Sequence, residues 1–384
     1  SYNGFEAKDF QAARIKIAIE SEISDIAWNI KALLDIPSEN ETDIMIREAF
    51  AEEDQNNYNN IFMLLGMIYD PHNVILVKEN ILDGTTDSIT FAVEMLDIFI
   101  EEELKPKLLP VMDELKVEER LARLLNYFPP EDFDSYYDLL LQIVNRDYNR
   151  IDRYTKALAL YRIGSIPEAT VTDDLIANLF NPDPLLLQTA AFTMYKIDQS
   201  MYQKHTRRLK PYIKKELDKA IVPPVFRDED EDYHQKLLLI ERVLLLKEVP
   251  EFKRVSGELI TYIAEELDEI IVQEGTTLVD SDDTGIIPTY IVVDGVVDVY
   301  QNDIKVEERQ RTGMVGHENL LNSNTFDYVA LTRGTCTLLV LRKEELMDLM
   351  SRHVEIMEAY LSILNREVGK GEEEETVSDV LLSF

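Results

Sequence analysis

Cysteine is almost missing from this chain: Cys336 stands alone in 384 residues, so no internal disulfide can form and a reducing compartment fits. Histidine is also scarce. The five present (His72, His205, His234, His317, His353) are scattered, and no Cys/His spacing suits a metal, so no metal or other cofactor is expected. Long apolar runs are lacking too. The best of them, residues 237–246, is interrupted by Glu241 and Arg242, so these residues are not expected to insert into a membrane. No basic stretch followed by an apolar one opens the chain at Ser1, so no signal peptide is visible, and the missing initiator Met suggests a processed chain or a piece of a longer one. Together these absences predict a soluble, cytoplasmic protein. Cations are few: 39 lysines and arginines face 74 aspartates and glutamates, for a formal charge of -35. Such a surface repels phosphate backbones and anionic lipid, which excludes nucleic acid as a partner and favours basic ones.

What the chain does have is apolar material, 45% of its residues, enough for real cores. Its length implies at least two domains. Before residue 250 the apolar positions recur three and four apart: Ile15, Ala18, Ile19, Ile23, Ile26, Ile30 and Leu33 share one helical face. Turn chemistry ends the runs at Asp70-Pro71, Asp83-Gly84, Pro129-Pro130, Asn181-Pro182 and Pro223-Pro224. Residues 174–198 read as two short helices around an Asn-Pro-Asp-Pro turn, with Ala190 and Ala191 small enough for close helix approach. This unit resembles a HEAT repeat; looser copies run from Ile75 to Leu96 and from Tyr154 to Ile163. The bland alternative is an irregular helical bundle.

Near Leu267 the period changes to that of strands. Residues 269–272, 290–293, 296–300 and 335–341 are β-branched or aromatic. Asp294-Gly295 predicts a hairpin between the second and third of these, and Asn302-Asp303 predicts the next turn. Helix resumes at residues 343–364. Four glutamates, Glu372 to Glu375, open an acidic tail expected to be disordered. The expected fold class is therefore multidomain α and α+β: a HEAT-like α-solenoid over 1–250, a β-barrel (jelly roll) with flanking helices over 251–368, and a tail over 369–384.

The second part resembles the cyclic-nucleotide-binding fold. The motifs occur in order: a lead-in helix over 259–267, then Glu274-Gly275, then Y-I-V-V-D-G-V-V-D-V-Y over 290–300. V-G-H-E-N-L-L over 315–321, T-C-T-L-L-V-L-R over 335–342 and a closing helix complete the series. The resemblance implies a short helix that cradles a nucleotide phosphate on its amides, a Gly-Glu pair that opens it, and an arginine that neutralises the phosphate. Here Gly316 stands at the glycine position but His317 at that of the glutamate, with Glu318 available only if the register slips by one. Phe326 falls where the arginine belongs, beside Asp327, and Val329 replaces a hydroxyl residue. The implied pocket is vestigial, and cyclic AMP or cyclic GMP is not expected to bind.

Helical repeats ahead of such a fold also resemble the soluble C-terminal region of bacterial ADP/ATP-translocase-type nucleotide carriers, on residues 61–71 and 104–110. That resemblance implies a transporter domain before Ser1, and a place at the cytoplasmic face of the inner membrane. Transport itself cannot reside in these residues.

The remaining features have plain readings. The acidic run 228–232 lacks the spaced ligands of a calcium loop and reads as solvated linker. His317 beside Glu318 has no nucleophile with it. Cys336 belongs to a buried strand and Trp28 to helix packing. The apolar residues Val380, Leu381, Leu382 and Phe384 form an ordinary chain end. No constellation of nucleophile, base and oxyanion donors occurs, so no catalytic residue is assigned and the chain is not expected to be an enzyme. The expected role is a regulatory or interaction region with a protein partner or an attached transporter domain; the alternative is a working cyclic-nucleotide sensor on a helical scaffold.

Overall fold

The computed structural model describes residues 9–130, 132–223, 235–253, 255–280, 287–317 and 328–357. They fall into two compact units, one ending at Asp152 and the other beginning at Arg153. Residue 250, where the sequence reading divides the chain, lies within the second unit. The tail over 369–384 lies outside the described residues.

The first unit is helical: α1 (Asp9–Asp35), α2 (Glu41–Ile68), α3 (Pro71–Asp83), α4 (Thr86–Phe99), α5 (Lys105–Met112), α6 (Val117–Leu124) and α7 (Tyr136–Asn145). The turn signals work as caps. Asp70 accepts the amides of His72 and Asn73 ahead of Pro71, and Gly84 closes α3 in the left-handed conformation. The predicted face of α1 is the buried one: Ile19, Ile23, Ile26 and Ile30 pack with Ile61 and Leu65 of α2, Val77 of α3 and Leu96 of α4. Trp28 packs as expected, against Phe50 and Phe133, with the Arg146 guanidinium 4.1 Å from its ring. This unit also buries carboxyl groups. Asp25 accepts Arg146 at 2.6 Å and Arg150 at 2.7 Å, and Asp54 accepts the Asn29 amide at 2.8 Å.

The second unit starts with helices α8 (Arg153–Ile163), α9 (Asp173–Asn178), α10 (Pro184–Ile197), α11 (Gln199–Thr206), α12 (Pro211–Ile221), α13 (Leu239–Glu248) and α14 (Gly257–Glu266). The Asn-Pro-Asp-Pro turn separates α9 from α10 as read, with Asp183 capping Leu185 and Leu186. Ala190 and Ala191 are fully buried, and the Thr193 hydroxyl donates to the Leu160 carbonyl of α8 at 2.7 Å. Arg153 ties three helices together through Asp183, Glu258 and Glu265, at 2.6 Å for the last.

The strands are β1 (Asp268–Val272), β2 (Thr277–Val279), β3 (Thr289–Gln301), β4 (Ile304–Arg309), β5 (Met314–Val315) and β6 (Val329–Leu341), followed by α15 (Lys343–Arg352). The sheet is antiparallel, in the order β1-β6-β3-β4, with β2 on β6 and β5 on β3. Among the described residues it does not close, so the expected jelly-roll barrel is observed only as an open sheet. Helix α13 and the residues before it meet the sheet: Glu269 of β1 accepts the Leu237 amide at 2.9 Å and lies 3.4 Å from Arg242 of α13.

One expectation fails. Asp294-Gly295 makes no hairpin, because β3 runs straight through it. The β3–β6 register shifts on either side of Asp294, and both Gly295 (φ 96°) and Gly334 (φ 82°) are left-handed. A Cβ on Gly295 would lie 2.6 Å from the Cys336 sulfur, so only glycine fits this bulge. The two bulges divide the long ribbon into halves. β1 and β2 pair with β6 on opposite sides of Gly334, and β5 and β4 pair with β3 on opposite sides of Gly295. The core draws on both halves: Val292, Val297, Val299, Ala330, Cys336 and Leu338. The second predicted turn is present, with Asn302 and Asp303 both at positive φ. Strand β4 pairs with β3 alone among the described residues, and a register shift leaves Val306 as an extra residue.

Candidate functional site

The site implied by the sequence lies where β5 ends. Pairing of Tyr290 with Val315 and of Ile291 with Met314 fixes β5 on β3 and delivers Gly316 to the end of the sheet. Gly316 is left-handed (φ 81°), and a Cβ there would meet the Pro288 carbonyl oxygen at 2.8 Å. The glycine is thus required by a close approach of backbone to backbone. His317 follows it and is buried, 9% exposed, rather than set out as a loop histidine.

The Gly316 amide points inward and donates to the hydroxyl of Tyr328 at 3.1 Å. Tyr328 is itself buried and packs with Val279, Ile287, Val315 and Ala330 in the sheet's core. The Arg309 guanidinium lies 5.8 Å from the Tyr328 ring centre. It donates to the Met314 carbonyl and sits 3.4 Å from Glu307. Val329 opens β6, half-buried, opposite Tyr300 of β3. Glu318, Phe326 and Asp327 lie outside the described residues; of the rest, Gly316 and His317 adjoin at the end of β5, while Val329 lies on β6 opposite Tyr300.

Sequence reasoning missed two residues that shape this place. Tyr328 was passed over although it adjoins both Asp327 and Val329; a phenol before an apolar strand is a signal, since a buried tyrosine hydroxyl needs a partner. Arg309 drew no reading, and nothing in its local sequence says that it folds back to Met314. Among the described residues no group of three or more His, Cys, Asp or Glu side chains is placed to hold a metal. The site offers a buried amide–phenol contact walled by aliphatic side chains, with one guanidinium at its edge. No helix among the described residues is long and apolar enough to cross a membrane.

No family model matches the chain, and no curated protein matches it. Solved structures match about a third of it. The regulatory domain of Toxoplasma gondii PKA, crystallised with cAMP, is 18% identical with a TM-score of 0.29, over 34% of this chain and 49% of that one. The N-terminal domain of a transcriptional regulator from Streptomyces coelicolor A3(2) is 19% identical with a TM-score of 0.31, over 34% of this chain and 99% of that one. The regulatory subunit of a cAMP-independent protein kinase A from Trypanosoma brucei is 19% identical with a TM-score of 0.29, over 34% and 47%. The chain spans about half the length of the two kinase-derived chains.

Proposed function

We propose that this chain is a non-enzymatic regulatory region whose sheet is a cyclic-nucleotide-binding-like module that no longer takes a cyclic nucleotide. One observation carries the reading: the Gly316 amide, which would face an anion in a working module, is hydrogen-bonded to the buried Tyr328 hydroxyl. A phosphate arriving there must break that bond and displace an aromatic ring from the core. It would find no compensating charge at Phe326 or Asp327. Arg309 is already engaged with a carbonyl and a carboxylate. Burying a phosphate without a counter-charge costs several kcal/mol, against a total of about 8 kcal/mol for micromolar binding.

Isothermal titration of the full chain with cyclic AMP and cyclic GMP tests this. No heat of binding is expected up to about 1 mM nucleotide. Micromolar binding would sink the reading and establish the sensor instead. A Phe326→Arg, Tyr328→Ala double variant should gain affinity, since it restores the cation and frees the amide.

The finer parts of the reading have narrower support. The capped α9–α10 pair favours HEAT-like repeats in the helical part. Attachment to an ADP/ATP-carrier-type transporter domain rests on the motifs over 61–71 and 104–110, and sequencing the gene upstream of Ser1 decides it.

A further inference from the structure

Helices α11 and α12 meet at a corner whose charge is opposite to that of the chain as a whole. From Gln199 to Lys215 there is no aspartate or glutamate, while Lys204, Arg207, Arg208, Lys210, Lys214 and Lys215 all fall within it. Lys204, Arg207, Arg208 and Lys210 are exposed, and among the described residues none of these four forms an ion pair. In a chain with 74 carboxylates for 39 cations, four neighbouring cations left unneutralised need a reason. Two of them lie against rings instead: Arg208 is 4.9 Å from the centre of Phe180 and Lys210 is 5.9 Å from that of Tyr212, which is 64% exposed. An aromatic face holds a cation in place without cancelling its charge.

Helix electrostatics does not explain the cluster. Lys204 suits the C-terminal turn of α11, but Lys210 caps the N-terminus of α12, where a positive charge is unfavourable, and makes no side-chain cap bond. The corner is also held rigidly. The Tyr202 hydroxyl of α11 donates to Asp218 of α12 at 2.8 Å, and the Arg208 amide donates to the His205 carbonyl at 3.1 Å. A backbone already held in place loses little freedom on binding.

We propose that this corner is a docking surface for an acidic peptide segment of a partner protein. Guanidinium forks such as Arg207 and Arg208 match carboxylates in paired hydrogen bonds. Extended polyanions fit worse: a membrane or a nucleic acid must approach the rest of a chain of charge -35, whereas a short peptide can stay within the ~8 Å screening distance of the corner.

The test is fluorescence anisotropy of labelled decaglutamate with the full chain, at about 50 mM and about 150 mM salt. Binding is expected at the lower salt and weakening at the higher. The quadruple variant Lys204→Gln, Arg207→Gln, Arg208→Gln, Lys210→Gln should bind about tenfold more weakly or worse. A control, Lys305→Gln with Arg333→Gln, should stay within about twofold. Absence of binding by the unmodified chain overturns the proposal, as does undiminished binding by the quadruple variant. Two further results also overturn it. One is binding that appears only after residues 228–232 are neutralised, which gives the corner to the chain's own acidic run. The other is binding to phosphatidylglycerol vesicles but not to peptide.

Discussion

The helical first unit and the sheet of the second treat their charges in opposite ways. The first unit draws carboxylates inward: Asp25, Asp43 and Glu53 are all buried, and the Tyr136 hydroxyl donates to Asp43. The sheet keeps an aliphatic core and, apart from buried Asp298 and the covered Glu269 side chain, holds its charges outside, where Glu308 accepts Lys305 at 3.1 Å, Arg333 at 2.6 Å and Gln310 at 2.9 Å. Helices allow the first arrangement because long side chains from a neighbouring segment, such as Arg146 and Arg150, reach across to a carboxylate on the helix face. A strand pair offers only its two faces, so charge goes to the open one. The helical unit should therefore answer to pH and the sheet to shape.

The largest effect should come from shape. Gly295→Ala places a methyl group against the Cys336 sulfur and the Thr335 carbonyl, at a backbone angle alanine resists. A loss of about 3 kcal/mol is expected in urea unfolding followed by a signal from the sheet. A loss below about 1 kcal/mol would mean that the two bulges yield easily and do not fix the ribbon.

Next comes a pH effect in the helical unit. Burial pushes the Asp54 carboxyl up to about 7, against the opposing Asn29 hydrogen bond and the charge of Arg120. The folded form then holds a proton that the unfolded chain, near 3.8, has released. Stability of this unit should thus fall as pH rises from about 4 to about 7 and level off above that. Asp54→Asn should flatten the profile and raise the thermal midpoint at about pH 8. An unchanged slope in the variant would move the effect to another group.

The smallest effect belongs to Glu308, held at about 2 by hydrogen bonds from Lys305, Arg333 and Gln310. A depressed carboxyl contributes stability above its unfolded pKa and loses it as pH falls toward the folded one. Because the network is exposed, Glu308→Gln should leave the thermal midpoint unchanged near neutrality. A clear drop there would make the outer charges structural and erase the contrast between the two regions.

Much of this was legible in the sequence. The three-and-four spacing of Ile19, Ile23, Ile26 and Ile30 named the buried face of α1, since that pattern is local. Asn302-Asp303 named its turn for the same reason. Asp294-Gly295 misled because the dipeptide states only that a positive φ is wanted. Whether the chain then reverses or bulges depends on Thr335 and Cys336, some forty residues away, and no local pattern carries that. At the candidate site, Gly316 was readable as a glycine that the backbone demands. Its partner Tyr328 showed only that a phenol there needs a partner; which group supplies it was not legible, because a hydrogen bond between residues 12 apart leaves no period behind.

Strand β4 bears on how these molecules behave when crowded. Among the described residues its outer edge has no paired strand, and Ile304 and Val306 are exposed along it. The extra residue at Val306 flips the facing of the side chains halfway along, so a regular strand laid beside it keeps register for only a few residues. Lys305, Glu307, Glu308 and Arg309 then meet any newcomer with mixed charge. The hairpin is a poor template for its own kind, and concentrated solutions should resist fibril growth from this edge.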